Sequence, residues 1–230
     1  NDSVYQYSLS TAFDVSTASY DSVSFSISGQ MGNPRGTVFN TDGTKMYVVG
    51  TDSDAIQQYS LSSAFNVTTA SYDSARFSVS SQDAGPIDIS FNSEGTKLYM
   101  LGLFSDTLYQ YSLSTAYDIT TASYDSVSFS VTSQDGQPKG FTFNNDGTKM
   151  YICGRSSDAA YQYTLTTAYD ISTASYDSVS LDLSSQDTDP YDLKFNNDGS
   201  SMYIVGRANK SVFQYTLTTP YDLSTASYAS

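Results

Sequence analysis

Asp88 and Asp192 are the carboxylates whose placement invites chemistry. They stand at equivalent positions of a recurring pattern, in alternation with Gly36 and Gly140. Two such carboxylates, completed by waters, could take a calcium ion, which prefers oxygen ligands. No fuller ligand set accompanies them. The chain has no His and a single Cys, Cys153. A Ser-His-Asp triad lacks its base, and the usual zinc sites lack their ligands. No P-loop or dinucleotide fingerprint occurs. No catalytic residue is therefore assigned and no cofactor is required, with calcium the one cation the carboxylates allow.

A second set of residues stands out because it varies where its surroundings do not. Segments ending in Asn33-Pro34-Arg35, Gly85-Pro86-Ile87, Gln137-Pro138-Lys139 and Asp189-Pro190-Tyr191 differ from one another. So do those containing Asp52, Phe104, Arg155 and Arg207. Variable, mixed-charge, partly aromatic loops on a rigid scaffold are the usual make-up of a binding surface. The candidate ligand-binding residues are Arg35, Asp88, Phe104, Lys139, Arg155, Tyr191, Asp192 and Arg207.

These residues are positioned by a repeat of 52 residues. Gln-Tyr recurs at Gln6, Gln58, Gln110, Gln162 and Gln214, with Pro34, Pro86, Pro138 and Pro190 and the turn glycines Gly43, Gly95, Gly147 and Gly199 in step. An unbroken period of this length signals a modular architecture. The chain reads as one repeat domain over 1–230, with units 1–28 (partial), 29–80, 81–132, 133–184 and 185–230 (partial).

Each unit reads as four strands, A to D. In the second unit strand A runs from Pro86 to Phe91. The turn Asn92-Ser93-Glu94-Gly95 follows, since Gly supplies a positive φ. Strand B, Lys97–Leu101, is apolar on both faces. Strand C lies near Leu108–Leu113, and strand D, Val127–Val131, alternates. Continuous apolarity marks a strand covered on both sides, and alternation marks a half-exposed one. Inner buried strands and wet outer ones describe propeller blades. The predicted fold class is all-β: a β-propeller of four-stranded antiparallel blades, four in number, with one surplus strand segment. Strand D of the last blade is expected to come from the N-terminus, closing the ring and leaving one strand C over. A long loop, such as Ser114–Ser126, is expected between strands C and D.

Residues repeated in every unit serve the unit itself. Asp21, Asp73, Asp125 and Asp177, together with Asp83, Asp135 and Asp187, are expected to bond turn amides. The repeated Gln side chains suit ladder or inter-blade hydrogen bonds. Tyr20, Tyr72, Tyr124, Tyr176 and Tyr228 suit packing of the C–D segment against its blade. Cys153 is aligned with Val49, Leu101 and Val205 and reads as a core residue.

Lys and Arg total 10 against 24 Asp and Glu, for a formal charge of −14. Nucleic acid and anionic membranes are excluded as partners by that charge, and no apolar run is long enough to cross a bilayer. The sequence begins with Asn1 rather than Met, which suggests a processed or excised segment.

Asp42-Gly43-Thr44-Lys45-Met46-Tyr47-Val48-Val49 and Asp146-Gly147-Thr148-Lys149-Met150-Tyr151-Ile152-Cys153 resemble the core of YVTN-like β-propeller repeats. The C–D segments resemble tandem repeats of bacterial and phage-like surface proteins. The resemblance implies a propeller found in surface-layer and adhesin-like proteins and in some lactonase-like enzymes, whose metal is held by inward carboxylates. With no catalytic constellation in view, the expected function is a non-enzymatic extracellular structural or interaction module: a surface appendage, adhesin, filament or phage fibre, self-assembling through the surplus strand. A lectin-like carbohydrate-binding propeller is the first alternative and a metal-dependent lactonase-like hydrolase the second. Expected partners are other copies of the chain, other surface proteins or glycans, at the cell or virion surface.

Overall fold

The structure, a computed structural model, describes residues 2–229; Asn1 and Ser230, the ends of the two partial units, lie outside the described residues. The fold is an all-β propeller of four four-stranded blades and a two-stranded sheet. Strands β1 (Ser3–Leu9) and β2 (Ala18–Ser26) form the two-stranded sheet. Blade one is β3 (Pro34–Phe39), β4 (Lys45–Gly50), β5 (Ala55–Leu61) and β6 (Ala70–Ser78). Blade two is β7 (Pro86–Phe91), β8 (Lys97–Gly102), β9 (Thr107–Leu113) and β10 (Ala122–Ser130). Blade three is β11 (Pro138–Phe143), β12 (Lys149–Gly154), β13 (Ala159–Leu165) and β14 (Ala174–Asp182). Blade four is β15 (Pro190–Phe195), β16 (Ser201–Gly206), β17 (Ser211–Leu217) and β18 (Ala226–Tyr228). In every blade the strands follow chain order across the sheet.

Two compact units divide the chain. One comprises Asn1–Ser8, Ala18–Ser105 and Tyr109–Val127, the other Leu9–Thr17, Asp106–Leu108 and Ser128–Ser230. The core of the first is built on Tyr47, Val49 and Ile56 from blade one against Ile89, Leu98 and Met100 from blade two. In the second, Tyr151, Cys153 and Ala160 from blade three meet Leu193, Met202 and Ile204 from blade four. Cys153 is a buried core residue, as its alignment with Val49 predicts.

The burial gradient follows the sequence pattern. From its second residue on, β8 is buried throughout, while β10 alternates in exposure. The A–B turn forms because Asn92 Oδ1 accepts from Lys97 N at 2.9 Å while Gly95 takes φ +71°. That glycine has a second reason to lack a side chain: an added Cβ would fall 2.3 Å from the Tyr117 ring.

Two expectations are corrected. The last blade does not borrow its fourth strand from the N-terminus: β18 pairs with β17, and β2 pairs with β1. The C–D connection is also shorter than the sequence suggests. Strand D begins at Ala122 and not at Val127. In blade three the register shifts between Gln162 and Tyr163, and Ser178 has φ +59°. This bulge lets the strand run through residues whose pattern looks like loop. The connection itself is one 3-10 turn, capped in blade two by Asp118 Oδ1 accepting from Thr120 N at 3.0 Å.

Candidate functional site

The repeated polar residues are consumed by the scaffold. Asp83 accepts from Gly85 N at 2.7 Å and from Ser105 N and Oγ at 2.9 and 2.7 Å. It thereby ties the loop before strand A to the loop after strand B. Asp135 does the same through Gln137 N and Ser157, and Asp187 through Asp189 N and Asn209 N. Blade one has Met31 at this position. Asp125 is held by Gln110 Nε2 at 3.0 Å and Lys97 Nζ at 2.7 Å. Burial pushes its pKa up, but the Lys97 ammonium and the Ser112 and Gln110 hydrogen bonds outweigh this and hold it below the usual value. The strand-D tyrosines pack on strand C, as Tyr124 does on Tyr111 at 5.5 Å between centroids.

The alternation of Gly36, Asp88, Gly140 and Asp192 on strand A has a steric cause. A Cβ on Gly36 would lie 2.8 Å from Asp88 Cα, and one on Gly140 2.6 Å from Asp192 Cα. Successive inner strands approach too closely there for two side chains. Asp88 is buried, and its Oδ1 accepts from Ile89 N at 2.9 Å. Asp192 is more open. Its Oδ1 accepts from Leu193 N at 2.7 Å and pairs with Lys194 Nζ at 2.9 Å. Its Oδ2 makes no hydrogen bond among the described residues. Lys194 is anchored by donating to Phe141 O at 3.1 Å.

Arg35, Asp88 and Phe104 belong to the first compact unit, and Lys139, Arg155, Tyr191, Asp192 and Arg207 to the second. Arg35 and Arg155 are exposed, and Lys139 is buried. Phe104 is 73% exposed, with its ring edge over Gly85. Tyr191 and Arg207 do come together: the guanidinium carbon lies 6.0 Å from the ring centroid. Arg207 also pairs with Asp189 Oδ2 at 3.0 Å, while Asp189 Oδ1 is buried with no partner among the described residues. Blade four thus carries an aromatic face, a guanidinium, an ammonium and two carboxylates. Sequence reasoning missed Lys194 and Asp189. The signal for Lys194 was its position two residues after Asp192, since i and i+2 share a strand face.

A calcium ion is poorly served by this donor set. Among the described residues no three acidic, His or Cys side chains converge. The repeated aspartates are occupied by N–H and O–H donors, and Asp192 faces an ammonium.

The model of the lactonase family, described as a seven-bladed β-propeller, matches residues 1–170, and the chain belongs to that family. No curated protein matches the sequence closely enough to count as a relative. Among solved structures the chain is similar to a putative 6-phosphogluconolactonase from Bacteroides uniformis, with 12% identity and TM-score 0.59, covering 99% of this chain and 63% of that one. A second putative 6-phosphogluconolactonase, from Bacteroides fragilis, has 13% identity and TM-score 0.58, over 85% of this chain and 52% of that one. The periplasmic gluconolactonase of Pseudomonas aeruginosa has 11% identity and TM-score 0.56, over 86% and 52%. The chain therefore spans between half and two thirds of the length of these structures.

These matches overturn the expected non-enzymatic surface appendage, adhesin, filament or phage fibre, and with it the expected partnership with other copies or surface proteins. A propeller repeat family is supported, but not the YVTN surface-repeat identity. The physical reason is that the Asp-Gly turn and apolar strand B are what any blade needs, so they report the fold and are silent on its use.

Proposed function

We infer that the chain provides lactonase chemistry, hydrolysing the cyclic ester of a sugar acid of the gluconolactone type, phosphorylated or not. The observation that carries this reading is the lactonase-family match over residues 1–170. The geometry of blade four supplies groups of the right kind. Hydrolysis of a lactone needs a base to take a proton from the attacking water and a positive charge to steady the oxyanion on the former carbonyl. Asp192 Oδ2, open to water, suits the first role, and Lys194, 2.9 Å from Oδ1, suits the second. Water adds to the carbonyl carbon, Asp192 takes its proton, the ring C–O bond breaks, and the proton passes to the leaving alkoxide to give the hydroxy acid. Tyr191 offers a face for a sugar ring, and Arg207 a charge for a phosphate. With no fitting donor set, no step is routed through a metal.

The test is acid release from glucono-δ-lactone and its 6-phosphate, followed by pH-stat with the complete chain. Hydrolysis faster than the spontaneous rate is expected, with a loss of about 100-fold in kcat in Asp192→Asn. A wild-type rate equal to the spontaneous one for both lactones overturns the reading. A wild-type-like rate in the variant overturns the role of Asp192 alone.

A further inference from the structure

The fourth blade exposes a face that its counterparts bury. Val205 and Val212, directly opposite each other on β16 and β17, are 43% and 48% exposed. Their counterparts in blade one, Val49 and Ile56, and in blade three, Cys153 and Ala160, are opposed in the same way and are 0% exposed. What covers those pairs is the inner half of the next blade. Strand A contributes Ile89 or Leu193, and strand B contributes Leu98 and Met100 or Met202 and Ile204.

Within the second compact unit, the segment Leu9–Thr17 already sits beside blade four. Tyr203 Oη donates to Phe13 O at 2.6 Å, as Tyr151 Oη does to Tyr221 O at 2.5 Å. Val15 N donates to Gln214 Oε1 at 3.1 Å, as Leu223 N does to Gln162 Oε1 at 3.0 Å. Thus the 3-10 turn at Val15–Thr17 occupies, on blade four, the place that the turn at Leu223–Thr225 occupies on blade three. A separate observation in the first compact unit agrees. The strand-C counterpart β1 has a neighbour on its strand-D side only, whereas β5, β9, β13 and β17 are flanked on both sides.

We propose that the exposed face of β16 and β17 is the seat of a further strand A–strand B hairpin of this same repeat, docked in cis next to the 3-10 turn Val15–Thr17. The recognition is that of the blade–blade faces: an apolar strand-A residue and two from strand B over Val205 and Val212, with a glycine where strand A passes Asp192. The burial removes two β-branched side chains from water, which favours docking.

The experiment appends a copy of residues 127–156 after Ser230, continuing the 52-residue period. This copy presents the counterpart of Gly140, so no second carboxylate is set beside Asp192. A control graft carries Ser at the counterparts of Phe141, Met150 and Ile152. Each is made in Cys153→Val with either Val205→Cys or Val212→Cys. Both exchanges keep residue types native to the repeat at the first two positions, since blade one has Val49 and blade three has Cys153 there. Thiol alkylation rates and melting temperature are measured with and without the graft. Docking predicts that the native graft slows alkylation at both positions by about tenfold or more and raises the melting temperature, while the control does neither. Unchanged alkylation in a native-graft protein that still melts cooperatively overturns the proposal, as does equal protection by the control.

Discussion

Gln58 joins two blades with one side chain. Its Oε1 accepts from Ile119 N at 3.2 Å in the next blade, and its Nε2 donates to Asp73 Oδ2 at 2.9 Å in its own. Gln6 makes the same pair of bonds to Val67 N and Asp21, and Gln162 to Leu223 N and Asp177. The Ile119 amide is buried, so loss of its acceptor leaves a donor without a partner. Gln58→Leu is therefore expected to destabilise the protein by about 1–3 kcal/mol, the cost of an unsatisfied buried amide. Urea denaturation measures it. A midpoint equal to that of wild type would mean water replaces the side chain.

Gly147 is constrained twice, and this separates two explanations of a turn glycine. Its φ is +71°, which Asn tolerates better than most residues. An added Cβ would also lie 2.2 Å from the Tyr169 ring. If conformation alone mattered, Gly147→Asn would be milder than Gly147→Ala. With the ring in place both are expected to cost at least about 2 kcal/mol, the range of backbone strain plus overpacking. Near-wild-type stability of the Asn variant by denaturant titration would show that the ring moves aside.

How much of this was legible in the sequence depends on whether a residue acts within its own unit. The turn glycines, the buried strand B and the inter-blade Gln side chains recur at a fixed step because every blade needs them, and so they could be read. The bulge at Ser178 was hidden because a serine with φ +59° has no distinctive residue type. The two-stranded sheet was hidden because pairing is a tertiary choice between equivalent strands. Lys194 and Asp189 occur in one blade only. Repetition draws attention to shared residues, such as Asp192 with its counterpart Asp88, and passes over unshared ones such as Lys194 and Asp189. The absence of His removed the familiar nucleophile triads but had no bearing on a carboxylate–ammonium pair.

The tyrosines predict the alkaline limit of stability. Burial pushes the Tyr59 hydroxyl up to about 12, and that of Tyr215 up to about 12. Burial also raises Tyr47, Tyr111, Tyr151 and Tyr163. A raised folded-state value means the unfolded chain loses the proton first. The associated stability is fully present below the ordinary tyrosine value of 10.0 and is lost as pH rises through about 12. Ultraviolet absorbance is expected to show Tyr59, Tyr215 and the other buried tyrosines ionising late, together with loss of the β circular dichroism signal. Ionisation of these buried tyrosines near 10.0 with the β signal intact would refute this.

Tyr59 and Tyr215 should respond oppositely to loss of the hydroxyl. Tyr215 Oη donates to Gln186 Oε1 at 2.8 Å, whereas Tyr59 Oη is buried with no partner among the described residues. Removing a bonded hydroxyl costs about 1 kcal/mol, and removing an unsatisfied one is neutral or favourable. Tyr59→Phe is expected to match or exceed wild-type stability, and Tyr215→Phe to fall below it. Thermal unfolding of the two variants side by side decides the matter, and equal losses in both would contradict the assignment.

Arg207 provides a test of substrate charge that is independent of the reacting groups. It stacks on Tyr191 and pairs with Asp189, so its guanidinium is held in place while remaining exposed. A fixed guanidinium binds phosphate through paired N–H donors, which a neutral amide cannot reproduce. If the lactonase reading holds, Arg207→Gln is expected to raise KM for the 6-phosphorylated lactone by about tenfold, in line with loss of one charge-assisted contact, and to leave KM for the neutral lactone and both kcat values near wild type. Equal KM increases for the two lactones would indicate that Arg207 acts through Tyr191 on the sugar ring. A fall in kcat with KM unchanged would place Arg207 among the reacting groups and displace Lys194 from the oxyanion role.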